Sequence, residues 1–485
     1  MADVTAPVPP AGHAELSTEL RGGSVGVWHA AFQSFSYVAP AGDVAILLVG
    51  TALFALGATP LAVLIAWLIY GLWIVVPVEF SKRIVNAGSY YAYSARGLGG
   101  GGGVLALWYW MGENLTGPAF GVLGLGSFIF LLSSTLAHTG WGWVPVALII
   151  LAYGVVLSYI GIKPSLTYTM WSGFAEVAFL VITSLVIILE VGHRNTLSVF
   201  TLAPVHGQFR LLFLAVIFSV LDFTGLGVST TVSEETRNSK RLIPRALWIG
   251  WVLAGVAVVI PAYALTVGWG VSHMSTYASS PDPGLIVYQH YLGTIGWVLL
   301  VVFTINSYLS YMVAKVNAVT RIWFSAGRDG IIFSRIKGVH PRFRTPSQAV
   351  VAFLVVILVI NMVAGALLGP INGALWLLTI AGVSIIAVHI VANTALTVFT
   401  IRQRKVERFR VLLHGVVPTV ATLIGGTVIF YSVNPLPASP FGSAAIFALL
   451  WLVAGFVVAA YYVRRHPERM SLAGRSRGAE SAEGT

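Results

Sequence analysis

Cysteine is absent from this chain of 485 residues. The protein therefore has no disulfide framework, no thiol nucleophile and no cysteine-based metal site. Charge is also scarce, since Asp, Glu, Lys and Arg make up 9% of the residues, about a third of the share usual in a soluble protein. With 57% of its residues hydrophobic, a soluble fold would lack the polar surface that it needs. The composition indicates that lipid surrounds most of the chain.

The few charges leave long uncharged stretches, at positions 114–162, 345–401 and 411–463. One helix needs about 20 residues to span a bilayer, and each stretch is roughly twice that length. Hydrocarbon cannot satisfy free backbone groups, so each stretch is interpreted as two helices joined by a short turn. The sequence therefore predicts an all-α polytopic membrane protein.

Glycine, proline and charge mark the ends of these helices and predict twelve transmembrane spans. The spans run from Val27 to Leu56, Pro60 to Phe80, Gly97 to Leu123, Trp143 to Ile162, Thr167 to Glu190, Phe209 to Val232, Ala246 to Val271, Leu285 to Phe324, Ala349 to Leu368, Gly373 to Ile401, Val411 to Tyr431 and Phe441 to Val463. Residues 1–26 and 464–485 flank these spans and are expected to form tails on the cytoplasmic side.

The basic residues orient the chain in the cell membrane. If both tails are cytoplasmic, only Arg194 and Arg210 lie on the outer side and only Lys315 lies deep within a span, whereas all other Lys and Arg residues face the cytoplasm. These residues are dispersed over every inner loop rather than gathered in one stripe with stacking aromatics. Anionic lipids are therefore the expected partner of the net charge of +11, and nucleic acid is not.

Two of the predicted spans contain helix-breaking residues at mid-membrane. The residues concerned are Ser36, Tyr37, Val38, Ala39, Pro40, Ala41 and Gly42 in the first span and Phe223, Thr224, Gly225, Leu226 and Gly227 in the sixth. Leu221 and Asp222, which precede the second break, are predicted to belong to the same site. Glycine and proline are common in membrane helices, where they permit packing or kinks, and either break alone would be interpreted in that way. Two breaks at matched positions instead favour a substrate site.

The breaks lie five helices apart. Because five is odd, a repeat of five spans must return with inverted topology, and paired broken helices in such repeats mark a substrate site near the bilayer midplane. The sequence thus predicts repeats at 27–191 and 209–402, followed by two trailing helices at 411–463. Unwound backbone would offer N–H and C=O groups to a ligand, and half-helix N-termini favour an anionic group such as a carboxylate.

Ionisable residues inside a span are costly unless they are paired, so each is a candidate for function. Five lie well inside the predicted spans, away from the ends, namely Asp43, Glu113, Glu176, Asp222 and Lys315. Asp43 and Asp222 adjoin the two breaks, so either can hold a substrate ammonium or exchange a proton during transport.

Three stretches on the predicted inner side carry motifs. The sixth span ends in Glu234-Glu235-Thr236-Arg237-Asn238 and continues to Ile243-Pro244-Arg245-Ala246. Arg321 precedes Gly327-Arg328-Asp329-Gly330, and Ala87-Gly88-Ser89-Tyr90-Tyr91 follows the second span. Together these resemble the E-E-x-x-N-P-x-x-x-I-P-R-A signature, the R-x-x-x-x-x-A-R-D-G pattern and the second-to-third-helix loop of the amino acid, polyamine and organocation (APC) superfamily of transporters.

The resemblance implies five-plus-five inverted repeats with discontinuous helices 1 and 6, two trailing helices and alternating access. It implies that the amino and carboxylate groups of a substrate meet the two breaks, with Glu113 as a pocket residue and Gly225 at the sixth-helix break. An acidic residue common in the family two positions after that glycine is Gly227 here. The family's polyamine-binding arrangement is therefore not expected.

The resemblance also bears on ion coupling. Some proton-coupled relatives carry a lysine near position 176, whereas this chain has Glu176 there and its basic group at Lys315. We expect these two residues to pair in the region that holds sodium in sodium-coupled relatives, and one buried carboxylate to exchange protons. The alternative is a static ion pair with no role in coupling.

We therefore expect a secondary active transporter that moves amino acids by alternating access, with protons, or else sodium, as the coupling ion. A transporter of polyamines or other small amines and an amino acid exchanger are the alternatives, and a membrane-embedded enzyme or a channel is a more distant one. No H-E-x-x-H, G-x-S-x-G or Walker motif occurs in a credible context, so neither enzyme activity nor a metal or other cofactor is expected.

Overall fold

The computed structural model describes residues 20–132, 141–439 and 441–475. All regular elements within these residues are helices, and one isolated bridge joins Val25 to Thr236. The all-α fold class is therefore confirmed. Most of the two predicted tails, at 1–19 and 476–485, lies outside the described residues.

Each predicted span falls on one helix or on consecutive helical segments, which are called spans 1 to 12 below. Their bounds are Val27–Val38, Pro40–Gly42, Asp43–Leu47 and Leu48–Ala55 for span 1, Thr59–Ser81 for span 2, Gly100–Leu132 for span 3, Trp143–Tyr159 for span 4, Ile162–Val191 for span 5, Phe209–Leu221 and Val228–Glu235 for span 6, Ser239–Trp269 for span 7, Pro283–Arg328 for span 8, Ser347–Leu368 for span 9, Pro370–Arg402 for span 10, Val411–Val416 and Val417–Val433 for span 11, and Phe441–Arg465 for span 12. Shorter α-helices lie at Tyr90–Leu98, Met274–Ser279 and Pro467–Leu472.

Eight segments of the described chain are long and apolar enough to cross a membrane. One of them, Val27–Ser81, contains two predicted spans, and the apolar helices Trp143–Tyr159 and Phe209–Leu221 are shorter. The protein is thus a multi-pass membrane protein. The number of twelve crossings and the side on which each end lies stay predictions.

Some helix pairs of the two halves of the chain pack in matching ways. Span 1 lies against span 7, and span 6 lies against span 2. Span 5 packs along span 8, and span 10 packs along span 3. Exchange of spans 1 to 5 with spans 6 to 10 maps these four pairs onto one another, which is what the predicted inverted repeat would produce.

Span 1 breaks at Ala39, whose φ of 63° and ψ of 57° place it in the left-handed region. The following Pro40 lacks an N–H, and its ring disfavours a right-handed helical conformation for the residue before it. One helix therefore ends at Val38 and the next begins at Pro40. The N–H of Ala41, in the first turn of the new helix, has no intrahelical partner.

Span 6 breaks between Leu221 and Val228, and Gly225 within this break has a φ of 94°. The ring of Tyr37 leaves no room for a side chain there, because a Cβ atom on Gly225 would lie 1.9 Å from the Cδ1 atom of Tyr37. Glycine permits both the backbone conformation and the close approach. The two breaks are therefore in direct contact.

A reciprocal tryptophan pair joins spans 2 and 7. The rings of Trp67 and Trp251 stack with their centroids 4.2 Å apart, and each indole N–H donates to the other residue's backbone carbonyl at 2.9 Å. Gly71 and Gly255, each four residues after one of the tryptophans, give room to the opposite ring, since a Cβ atom would lie 2.9 Å or less from it. The pair is symmetric, with the same residue types contributed by spans 2 and 7, which are predicted to correspond in the two repeats.

The same arrangement recurs between spans 3 and 12. Trp108 and Trp451 stack at 4.4 Å, and their indole N–H groups donate to each other's carbonyls at 2.9 and 3.0 Å. Gly112 and Gly455 again follow the tryptophans by four residues and face the opposite ring. This pair fixes trailing span 12 to span 3.

Replacing Gly225 by alanine should destabilise the protein, because a left-handed conformation costs about 1–2 kcal/mol for a residue with a Cβ atom and the new methyl group would overlap Tyr37. The matched control is Gly426→Ala in span 11, where a Cβ atom meets no atom within 4 Å. Melting temperatures of the purified proteins in detergent measure the difference. Equal melting temperatures would show that the contact between the breaks is not required.

Candidate functional site

A small cavity lies where the breaks of spans 1 and 6 face spans 3, 8 and 10. Its volume of about 30 Å³ has room for about two water molecules. The lining residues are Tyr37, Val38, Ala39, Asp43, Leu47, Glu113, Gly117, Phe120, Leu221, Thr224, Tyr308, Tyr311, Lys315, Leu378, Ala381, Gly382 and Ile385. At this size the cavity has no room for an amino acid.

The lining includes part of the set that the sequence predicts. Eight predicted residues line the cavity, namely Tyr37, Val38, Ala39, Asp43, Glu113, Leu221, Thr224 and Lys315. The other predicted residues lie in the breaks or nearby without lining it, namely Ser36, Pro40, Ala41, Gly42, Glu176, Asp222, Phe223, Gly225, Leu226 and Gly227. Sequence reasoning missed Tyr308, Tyr311 and the whole contribution of span 10.

An ion pair between Lys315 and Glu113 occupies one wall of the cavity. The Lys315 ammonium donates to Glu113 Oε1, and both side chains are 3% exposed. The Tyr37 hydroxyl donates to the same carboxylate, at 3.1 Å from Oε1 and 2.9 Å from Oε2. Span 1, span 3 and span 8 thus meet at a single carboxylate.

Two aromatic rings complete the surroundings of the Lys315 ammonium. Its Nζ atom lies 3.7 Å from the ring centroid of Tyr37 and 4.8 Å from that of Tyr311, both within the range of cation–π attraction. The Tyr311 hydroxyl donates to the carbonyl of Gly117 at 2.7 Å, which fixes the ring against span 3. The ammonium is therefore held by one carboxylate and two ring faces.

Glu176 has different partners from those predicted. Its Oε1 atom accepts from the N–H of Ala41 at 2.8 Å and from the Ser307 hydroxyl at 2.6 Å, and Oε2 has no hydrogen-bond partner among the described residues. The expected pairing of Glu176 with Lys315 is wrong. Lys315 lies eight residues beyond Ser307, about 12 Å further along span 8, and there meets Glu113 instead.

The carboxylate of Glu176 sits at a helix N-terminus. The N–H of Ala41 that it accepts from belongs to the first turn of the helix that restarts at Pro40. The partial positive charge of that turn favours an anion there. Glu176 of span 5 therefore ties the second half of span 1 to span 8.

Asp43 and Asp222, which follow or adjoin the breaks, are both buried, and one oxygen of each lacks a hydrogen-bond partner among the described residues. Asp43 interacts electrostatically with Asp222 and with Glu176. Only Asp43 of these three lines the cavity. No cluster of His, Asp or Glu in the described part of the chain has the arrangement of a metal site.

The motif residues at the ends of spans 6 and 8 form two ion pairs. Glu235 pairs with Arg321 at 2.5 Å, with both side chains almost fully buried, and Glu234 pairs with Arg328 at 2.7 Å. The N–H of Val25, just before span 1, donates to the carbonyl of Glu235 at 3.0 Å. These contacts close the end of the bundle where most basic residues lie, which is called the basic end below.

Residues 29–471 match the family model described as amino acid permease. The chain belongs to the amino acid permease family. The match covers both breaks, the cavity and the ion pairs of the basic end. The predicted resemblance to the APC superfamily is thereby confirmed.

Curated relatives of this family member include transporters with different printed substrates. The low-affinity putrescine importer PlaP of Escherichia coli (strain K12) is 27% identical over 34% of this chain, and the match spans 37% of that importer. The methylthioribose transporter of Bacillus subtilis (strain 168) is 25% identical over 86% of this chain and 90% of its own length. The branched-chain amino acid permease BcaP of the same organism is 23% identical over 50% of this chain and 49% of its own length.

A solved structure shares the fold. The crystal structure of MhsT in complex with L-phenylalanine aligns with a TM-score of 0.57, covering 84% of this chain and 99% of that chain at 14% sequence identity. At this identity the likeness shows the fold alone.

Removal of one charge from the buried Glu113–Lys315 pair should destabilise this family member. Glu113→Gln or Lys315→Met alone leaves a buried charge unpaired and should cost about 3–5 kcal/mol. The double variant removes both charges, so its loss should be smaller than the sum of the two. Melting temperatures of all four proteins test this, and losses that add up would show that the two residues are not coupled.

Proposed function

We propose that this protein is a secondary active transporter that carries an amino acid or a related small amine across the cell membrane. The observation that supports this most is the meeting of two broken helices at a small cavity lined by Asp43, Glu113 and Lys315. The relatives that transport putrescine and branched-chain amino acids, as their names state, support the substrate class.

The proposed transport cycle is alternating access. The cavity has room for only about two water molecules, so an amino acid can enter only when spans 1 and 6 move relative to spans 3, 8 and 10. The breaks at Ala39 and Gly225 are the points where a change of backbone angle costs least, because no intact helical hydrogen-bond ladder crosses them. Opening on the basic end requires the pairs Glu235–Arg321 and Glu234–Arg328 to separate.

Substrate groups are assigned to the two breaks. The predicted contacts are residues 36–42, residues 221–227 and Glu113, with Asp43 or Asp222 receiving an ammonium group. Each of these two aspartates has an oxygen without a hydrogen-bond partner among the described residues, which supports this assignment. Residues 27–191 and 209–402 are proposed to form the inverted repeats, and residues 411–463 the two trailing helices. Both tails are proposed to lie in the cytoplasm, with anionic lipids against the basic loops.

Protons are the proposed coupling ions, and sodium is the alternative ion. Glu176 is the main proposed site of proton exchange. Asp43, Asp222 and the Glu113–Lys315 pair are further candidates. Glu176 joins the second half of span 1 to span 8 through Ala41 and Ser307. Protonation would remove the negative charge that faces the helix N-terminus and weaken this connection. Release of the proton would restore it, so the protonation state and the position of span 1 would be linked.

The coupling proposal is tested by uptake into proteoliposomes. An inward proton gradient should accelerate uptake by the wild-type protein, and Glu176→Gln should lose that acceleration because an amide does not exchange a proton in this way. Glu190→Gln, on the exposed end of the same span, is the matched control and should keep it. Uptake by Glu176→Gln that still depends fully on the proton gradient would exclude Glu176, and acceleration by a sodium gradient alone would favour sodium.

The substrate class is tested by ligand-dependent stability. A ligand that binds only the folded protein raises the melting temperature, by an amount equivalent to about 2.7 kcal/mol at a concentration 100 times its dissociation constant. Amino acids and small amines should raise it, whereas matched sugars and carboxylic acids without an amine should not. If another class of solute stabilises the protein and is carried while amino acids and amines fail, the proposed substrate is wrong.

A further inference from the structure

The Lys315 ammonium is surrounded by the groups that would recognise a free amine. Glu113 supplies a carboxylate, and Tyr37 and Tyr311 supply two ring faces at 3.7 and 4.8 Å. Carboxylates and aromatic faces are the groups by which proteins bind ammonium ligands. The lysine side chain thus fills a subsite that it does not itself build.

We propose that this subsite, formed by Glu113, Tyr37 and Tyr311, is a binding site for primary alkylammonium groups, and that Lys315 is its tethered internal occupant. A substrate ammonium in the cavity then competes with Lys315 for Glu113. The inference rests on the proposed transport function for its natural ligand, whereas the subsite itself can be tested without transport.

The dimensions of the subsite select a compact cation. A Cβ atom on Gly117 would lie 2.7 Å from Glu113 Oε1 and 2.8 Å from Lys315 Nζ, so the backbone of span 3 closes directly over the ion pair. An ammonium group fits under this backbone, whereas the planar guanidinium group of an arginine is larger and presents five N–H donors in a fixed fork. The subsite therefore suits a primary amine rather than a guanidine.

The subsite is connected to both helix breaks. The Tyr37 hydroxyl donates to Glu113. The Tyr37 ring contacts both the Lys315 ammonium and the backbone of Gly225. A change of occupant at Glu113 therefore acts on the last turn before the span 1 break and on the span 6 break together. Exchange of Lys315 for a substrate ammonium thus acts directly on the elements proposed to move.

The same cavity provides a second acidic group for an arriving amine. Asp43 lines it and has a buried oxygen without a hydrogen-bond partner among the described residues. An ammonium group can therefore be held by Asp43 before it reaches Glu113. The carboxylates of Asp43 and Glu113 together balance the two ammonium groups that are present during the exchange.

The experiment removes the internal occupant and supplies a free one. Lys315→Ala deletes three methylene groups and the ammonium, so n-propylammonium is the matching fragment. We expect it to raise the melting temperature of purified Lys315→Ala saturably and at far lower concentrations than it needs with the wild-type protein, where the tethered lysine competes at a much higher effective concentration. Apparent affinity should increase about fourfold for each methylene from methyl- to propylammonium. n-Butylammonium should gain nothing further.

The controls separate binding at this subsite from unspecific effects. Glu113→Gln combined with Lys315→Ala should lose the response to n-propylammonium, and 1-propanol should not reproduce it. If Lys315→Ala cannot be purified folded, the same ion present during extraction should restore a monodisperse protein on size exclusion. No response of Lys315→Ala in either assay, or an equal response of the double variant, would overturn the proposal.

Failure of this inference can be told apart from failure of the transport proposal. Stabilisation of Lys315→Ala by n-propylammonium, together with no uptake of any amino acid or amine by the wild-type protein, would keep the subsite and reject the transport function. Uptake of amines by the wild-type protein without any such stabilisation would reject the subsite alone.

Discussion

Backbone groups that are released at a helix break inside a membrane have no water to bond, so the protein must provide their partners. Each break here receives a side chain from a neighbouring span. Glu176 accepts from the N–H of Ala41, and the hydroxyl of Tyr70 accepts from the N–H of Gly225 at 2.9 Å. The positions of spans 1, 2, 5 and 6 follow from these two requirements. The site exists because unwound backbone can be tolerated only where such partners converge.

Buried charged side chains also need partners, but only some of them have one within the described structure. Lys315 and Glu113 satisfy each other, whereas Asp43 and Asp222 keep oxygens without partners in the described structure. A paired charge stabilises one arrangement, and an unpaired one calls for a ligand or a proton. The cavity contains both kinds, which distinguishes it from an ordinary packed contact between membrane helices.

Sequence reasoning located what the backbone and the scarcity of charge determine. The breaks followed from Pro40 and Gly225, and the five ionisable residues stood out because apolar spans surround them. The partner of Lys315 could not be predicted, since pairing depends on the relative height of spans 3, 5 and 8. Span 10 contributes only apolar residues to the cavity, and these resemble any residue that faces lipid.

Part of the surroundings of Lys315 can be predicted from the helical spacing of residues in span 8. Tyr308, Tyr311 and Lys315 are spaced by three and four residues, which places them on one face of span 8. Aromatic residues that share a helix face with a buried cation point to its surroundings. Some residues of the breaks, such as Pro40 and Leu226, are predicted from the sequence as substrate contacts but do not line the cavity. Proximity in sequence to a break does not decide which way a side chain points.

The stacked pair of Trp67 and Trp251 has a consequence for how the two halves of the molecule are related. Each ring lies over the glycine that follows the other, and each indole bonds to the other's carbonyl, so interchange of the two repeats leaves the pair unaltered. If the repeats at 27–191 and 209–402 are related as proposed, the pair lies on their pseudo-twofold axis. In an inverted-repeat protein, the outward-facing and inward-facing forms arise when the two halves exchange conformations. The indole pair is then the fixed point of that exchange, and it keeps the same neighbours whichever side of the membrane the cavity faces.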